Sequence, residues 1–314
     1  MLIPFGRSFS AFGRRIKALH KYLLQKVYEA MNFAGKFKNH PIMVSTPQPL
    51  ATSTTAAKRF RQITRLLFYL GTAGQWIFAY YILAFYGGIV VNGTYEKVNE
   101  QLPHGIIEGD SVGNMMLAAH LGLAAIVTFG GPLQFFPGLR KRFPVFHRWN
   151  GRIFYLTAFI ITLAGLYMIM TRSAHGGVTG FLGNALNATL ILWFGAMAWR
   201  TAMQRNFVAH RKWAIRAFLM VSGVWFFRVG YGLWILLTAF KMPGTTANLD
   251  GPFDIFLSFG HSLVPLLIGE YYLWVRAQDQ PKVKKQASWV FGLLCLLLAG
   301  GIVMLSLVFW LPVL

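Results

Sequence analysis

Long apolar runs separated by short polar stretches dominate the chain, at about 64–91, 113–135, 150–171, 183–203, 214–240, 255–276 and 288–311. An α-helix needs roughly 20 apolar residues to cross a hydrocarbon layer, and each run is at least about that long. Backbone polar groups in lipid must be satisfied within their own segment, so the runs predict helices. The pattern predicts an all-α integral membrane protein, a seven-transmembrane-helix bundle over residues 64–314.

The first 63 residues have a different pattern. Between 1 and 42, Phe12, Ile16, Leu19, Leu23 and Val27 recur at helical spacing with basic residues between them. One face of such a helix is apolar and the other cationic, which suits a helix lying on an anionic leaflet. No compact apolar core with a small-residue cleavage site follows, so the segment does not read as a secretory signal. A competing reading starts the protein at Met43 and leaves 1–42 untranslated. Residues 43–63, with "VSTPQPLATSTTAA" at 44–57, have the composition of a linker. The 92–112 loop is acidic, holds His104, and begins with Asn92-Gly93-Thr94, a glycosylation pattern of low specificity.

Composition agrees with a membrane class: 55% of residues are hydrophobic and 12% charged, against about 25% charged in soluble domains. A net charge of +21 would point a soluble chain toward nucleic acid, but here its distribution matters more. Of 30 Lys and Arg, 26 gather on one side, before the first run, in alternate loops or at the run ends beside them; three fall in the other loops, and Arg228 lies in between, within the fifth run. Short basic loops stay in the cytoplasm, which predicts a cytoplasmic N-terminus and an outer C-terminus. The same rule accounts for the basic excess, so nucleic acid is not an expected partner. The single cysteine, Cys295, excludes an intramolecular disulfide and a cysteine-rich metal site.

Ionisable side chains inside the runs are the candidate chemistry, because they are costly in lipid and normally face the bundle interior. At about 1.5 Å per residue, His120, Arg228 and His261 all fall in the outer half. The inner side carries a second set: Gln134, His147, Arg152, His210 and Arg216, with Glu270 in the inner half of the sixth run. Glu270 reads as the one acid buried in a span, with Arg152 or Arg216 as its ion-pair partner. His147 and His210 belong to the related stretches "FPVFHRWNGR" and "AHRKWAIR", each at a helix start on the cytoplasmic side. Runs one and seven carry few polar residues and are expected to flank the functional bundle.

The ordered stretches "AAHLGLAAIVTFGGPLQF", "RFPVFHRWNGRIFYLTA", "HRKWAIRAFLMVSGVWFFR" and "LVPLLIGE" resemble the bacterial membrane proteins grouped as domain of unknown function 2306. The resemblance covers about 64–276. It rests on His120, Gln134, His147, Gly151, Arg152, His210, Arg211, Trp213, Arg216, Arg228 and Glu270; His261 stands outside it. It implies a multi-spanning bundle in a bacterial cytoplasmic membrane and brings no established activity.

Three readings of the two layers follow. In the first, the chain is a b-type haem protein that moves electrons across the membrane. His120 with His261, and His147 with His210, would be the axial pairs, and Arg228, Arg152 and Arg216 would hold propionates. That arrangement is similar to di-haem transmembrane cytochromes b, and a quinone or other redox partner would go with it. Against it, both inner histidines are interfacial and flanked by arginine. In the second, the chain is a transporter or lipid-handling protein. Its two HR motifs would then hold anionic lipid headgroups at the cytoplasmic face, and Arg228 and Glu270 would mark a path through the bundle. The Gly130-Gly131-Pro132 interruption suits a carrier, but no matching second half is visible. In the third, Glu270 and the arginines only fix packing and the interfacial Trp and Arg only set depth. No HExxH, nucleophile elbow or carboxylate run supports a hydrolase.

Overall fold

The computed structural model describes residues 55–102, 105–172 and 176–313; the segment 1–42 and His104 lie outside the described residues. Regular structure among the described residues is helical throughout. The first span joins α1 (Thr55–Tyr81), a wide π turn (Ile82–Tyr86) and α2 (Gly87–Asn92). The following loop carries α3 (Val98–Gln101), and α4 (Ser111–Leu133) crosses back to the short α5 (Pro137–Arg142). Next come α6 (Pro144–Thr171), α7 (Gly177–Met203), α8 (Phe207–Val221), α9 (Gly223–Leu237) and α10 (Pro252–Ala277). The last span is α11 (Pro281–Leu305), a second π turn (Ser306–Trp310) and a closing 3-10 turn. Six of these helices are long and apolar enough to cross a membrane, and α8 with α9 makes a seventh crossing if the bent pair is one span.

The helices outrun the apolar runs because their first turns pack where the chain is already polar. α1 begins at Thr55, inside the stretch expected to be a linker. There Phe60 packs against Tyr272 and Phe291, and the Arg59 guanidinium lies 4.5 Å from the centre of the Trp289 ring. Neighbours around the bundle are α1 with α4, α4 with α6, α6 with α7, α7 with α8 and α10, α10 with α9, α9 with α11, and α11 with α1. The helices α9 and α11 cross closely at Gly232 and Gly301. A Cβ on Gly232 would meet the Gly301 carbonyl, so both positions need the smallest residue.

The fifth span is not the straight helix that the run 214–240 predicts. It bends by 58° between α8 and α9, at Ser222. Ser222 Oγ donates to the Phe218 carbonyl (2.8 Å), a back-bond that bends helices. It also accepts from Gln75 Nε2 of α1 (2.8 Å). The adjoining Gly223 faces the Asn187 amide of α7 so closely that a Cβ there would lie 2.8 Å from Asn187 Nδ2.

A second interruption is at Gly130-Gly131-Pro132. Gln134 N bonds to the Gly131 carbonyl, one residue short of the α-helical partner. The Gly130 carbonyl that this releases accepts from Asn150 Nδ2 of α6 (2.9 Å). Asn150 is the N of the HRWNGR stretch, so part of that motif serves to hold the end of α4.

Candidate functional site

On the α9 face that carries Trp225, Val229 and Gly232, helical spacing places Arg228 at the edge nearest α1. Its guanidinium sits 5.1 Å from the centre of the Phe78 ring. The Tyr81 and Tyr86 side chains lie within electrostatic reach of the same charge. In a regular α-helix, residues five apart point about 140° away from each other. The π turn Ile82–Tyr86 removes that offset, because its wider turn brings positions i and i+5 together. The two tyrosine rings consequently meet edge to face with centroids 6.1 Å apart. The π turn of the last span supplies Trp310, which stacks on Phe78 (5.2 Å) and Tyr81 (6.0 Å). Both wide turns therefore serve one niche around Arg228. Spans one and seven, expected to flank the functional bundle, build most of its wall.

No carboxylate pairs with Arg228 among the described residues, and none of its nitrogens is in a hydrogen bond there. A cation–π contact is worth about 0.5–2 kcal/mol, whereas taking an ion out of water costs several kcal/mol even after relaxation. The ring contact alone does not offset the cost of the charge. His120, on α4, is within electrostatic reach of Arg228 and has a buried Nδ1 without a hydrogen-bond partner. Its imidazole lies against Gly165 of α6. His261 is placed differently. Its Nδ1 bonds to the Leu257 carbonyl (3.1 Å), and its ring meets Phe227 edge-on at 5.8 Å. Residues 227 and 228 project about 100° apart on α9, so the expected outer trio divides between two sides of that helix.

A middle level, not anticipated from the sequence, lies at the bend between α8 and α9. Gln75 of α1, Ser222, Asn187 of α7 and Ser262 of α10 are all buried there. Ser262 Oγ donates to Asn187 Oδ1 (2.9 Å), while Gln75 Oε1 and the Trp225 indole N–H are buried without partners. Gln75 is the only amide side chain in the run 64–91, and that was the available signal.

At the basic end, Glu270 meets Arg216 in a two-pronged ion pair, with Nε to Oε1 at 2.5 Å and Nη2 to Oε2 at 2.8 Å. Arg152 is not part of that pair. It lies over Trp149 at 5.0 Å from the ring centre, as Arg216 does over Trp213 at 4.6 Å. The Glu270 side chain is 43% exposed, so it is not the buried acid. That description fits Asp254, which falls just outside the run 255–276 but is 1% exposed at the start of α10. Its carboxylate accepts from the Thr246 and Gly251 backbone N–H groups and from Tyr231 Oη. His147 and His210 are within electrostatic reach of each other. His210 Nδ1 bonds to the Ala198 carbonyl (2.9 Å), while His147 Nδ1 and Gln134 Nε2 are buried without partners.

At the opposite end, Arg172 closes α6 onto the start of α4. Its guanidinium donates to Asp110 Oδ2, Asn114 Oδ1 and the Gly105 carbonyl. Those donations, with the Gly113 N–H, hold the Asp110 carboxyl below the usual carboxylate range.

No curated protein and no solved structure matches the chain. A family model does match, over a shorter stretch than the 64–276 expected. It takes in His120, His147, Arg152, His210, Arg216 and Arg228, and stops short of His261 and Glu270. The chain is a multi-spanning membrane protein whose residues 117–249 match the family described as predicted membrane protein (DUF2306).

Proposed function

We propose that this protein is a carrier for a small carboxylate or phosphate, which it holds in the outer half of the bundle at Arg228. The observation that carries this reading is the intramembrane guanidinium without a counter-ion among the described residues, walled by Phe78, Tyr81, Tyr86 and Trp310. An anion there would supply the charge compensation that one ring contact does not. The Tyr81 and Tyr86 hydroxyls and His120 would add hydrogen bonds to its free oxygens. A bent span beside the site, with a buried polar joint at Ser222, is the kind of discontinuous helix that carriers use to alternate access. A cytoplasmic basic end, as in inner-membrane proteins, belongs to the same proposal.

The test is a stability screen of the detergent-purified protein against small carboxylates and phosphates, followed by uptake into liposomes. A ligand that stabilises the wild type but not Arg228→Gln supports the reading. If every stabilising anion acts equally on both proteins, the site is not at Arg228.

A second reading, electron transfer through b-type haem, is favoured by one feature of the inner pair. The Nδ1 bond of His210 to Ala198 leaves its Nε2 as the lone-pair nitrogen, on a ring within electrostatic reach of His147. A Soret band with a sharp reduced α-band, lost in His147→Ala, would support it. A colourless, folded protein after expression with ample haem would remove it, together with any quinone partner.

A further inference from the structure

Two helices at the basic end carry the same local unit, a tryptophan followed three residues later by an arginine whose guanidinium lies over the indole. Three residues is nearly one turn, so the arginine folds along its own helix and keeps forked N–H groups for a third party. At Trp213 and Arg216 that party is visible, because the Glu270 carboxylate fills the fork with two hydrogen bonds. At Trp149 and Arg152 no carboxylate is present among the described residues, and Arg152 is exposed.

The rest of α6 shows what Arg152 faces. Val145 (56% exposed), Trp149 (58%), Leu156 (59%) and Leu163 (46%) follow helical spacing along one outward stripe, and Arg152 stands in line with them. In a membrane protein such a stripe faces acyl chains. Arg152 is eight residues past Pro144, about 12 Å along the helix. A charge at that depth on the lipid side needs a counter-ion that comes from the lipid. Exposed Arg148 is one turn nearer the surface on the same side.

We propose that Trp149, Arg152 and Arg148 bind the phosphate of an anionic phospholipid from the leaflet at the basic end, with its acyl chains along Leu156 and Leu163. The guanidinium fork takes two phosphate oxygens as Arg216 takes two carboxylate oxygens, and the indole holds the fork at headgroup depth. The site is at the opposite end of the bundle from Arg228 and stands independently of the carrier reading.

The full chain, purified in neutral detergent and stripped of lipid, would be titrated with dioleoyl-phosphatidylglycerol, dioleoyl-phosphatidylcholine or inorganic phosphate. Native mass spectrometry counts bound lipid, and thermal unfolding reads the stabilisation. The glycerol lipid should bind in preference to the choline lipid, with Arg152→Gln weakening it about tenfold. Arg152→Lys should recover part of the loss, because an ammonium lacks the fork. Lys285→Gln, at an exposed base of α11 off the stripe, should bind as the wild type does. Equal losses in Arg152→Gln and Lys285→Gln would reduce the effect to general surface charge and overturn the proposal. Full stabilisation by inorganic phosphate alone, or equal binding of the choline lipid, would also overturn it. Should Arg152→Gln fail to fold, Trp149→Leu carries the test, with a partial loss expected and wild-type binding overturning the proposal.

Discussion

Arg228→Met is the substitution that most directly tests the uncompensated charge. Methionine keeps the length and flexibility of the arginine stem and removes its charge. The loss is one cation–π contact with Phe78 at 5.1 Å, worth about 0.5–2 kcal/mol. The relief is the desolvation penalty of an unpaired ion, several kcal/mol in protein interiors. Arg228 keeps partial exposure, so only part of that relief is recovered. The ligand-free variant should therefore be more stable than the wild type by about 1–2 kcal/mol. Stabilisation with loss of function is the usual signature of a charge kept for a ligand. The assay is equilibrium unfolding in mixed micelles, without ligand and with the best anion from the screen. The wild type should be stabilised by the anion and the variant should not. A ligand-free variant destabilised by 3 kcal/mol or more, as when a buried ion pair is broken, would refute the reasoning. It would mean that Arg228 already has its counter-ion within the protein.

Three further outcomes follow from the geometry. Glu270→Gln leaves the Arg216 fork one neutral acceptor and should cost about 1–3 kcal/mol; the Arg216→Gln, Glu270→Gln double variant should recover part of that in a double-mutant cycle, and additive losses would show that the pair is not coupled. Gly223→Ala would gain about 1 kcal/mol by helix propensity but crowd the Asn187 amide at 2.8–3.1 Å, a clash of about 1–3 kcal/mol; a net loss in unfolding free energy, relieved by adding Asn187→Ala, is expected, and a stabilised single variant would contradict the packing at the bend. The Asp110 carboxyl is held below its unfolded value near 4, so its stabilisation is complete above about pH 4 and is lost as pH falls through the lower folded value; melting temperature against pH should show that acid limb in the wild type and a flatter one in Asp110→Asn, and identical limbs would remove the Arg172 clasp as its cause.

The membrane class and the run of crossings were legible in the sequence because each depends on summed local properties. Run length against bilayer thickness and the fraction of charged residues survive errors of several residues. Arg228 and Glu270 could also be picked out, since an ionisable residue in an apolar run stands out whatever its neighbours. Partner choice depends on rotation and depth, which a one-dimensional pattern does not encode. Arg152 and Arg216 have the same sequence setting, yet Arg216 turns to Glu270 and Arg152 turns outward. Asp254 lies in a loop by hydropathy, but three donors enclose it at the start of α10. Tyr81 and Tyr86 would diverge on a regular helix, and only the wide turn between them places both beside Arg228. Such turns and bends cost local hydrogen bonding and persist only where packing from other helices over-determines them. The tertiary structure therefore decided which of the legible charges were paired, which one stayed open, and that its walls came from the first and last spans.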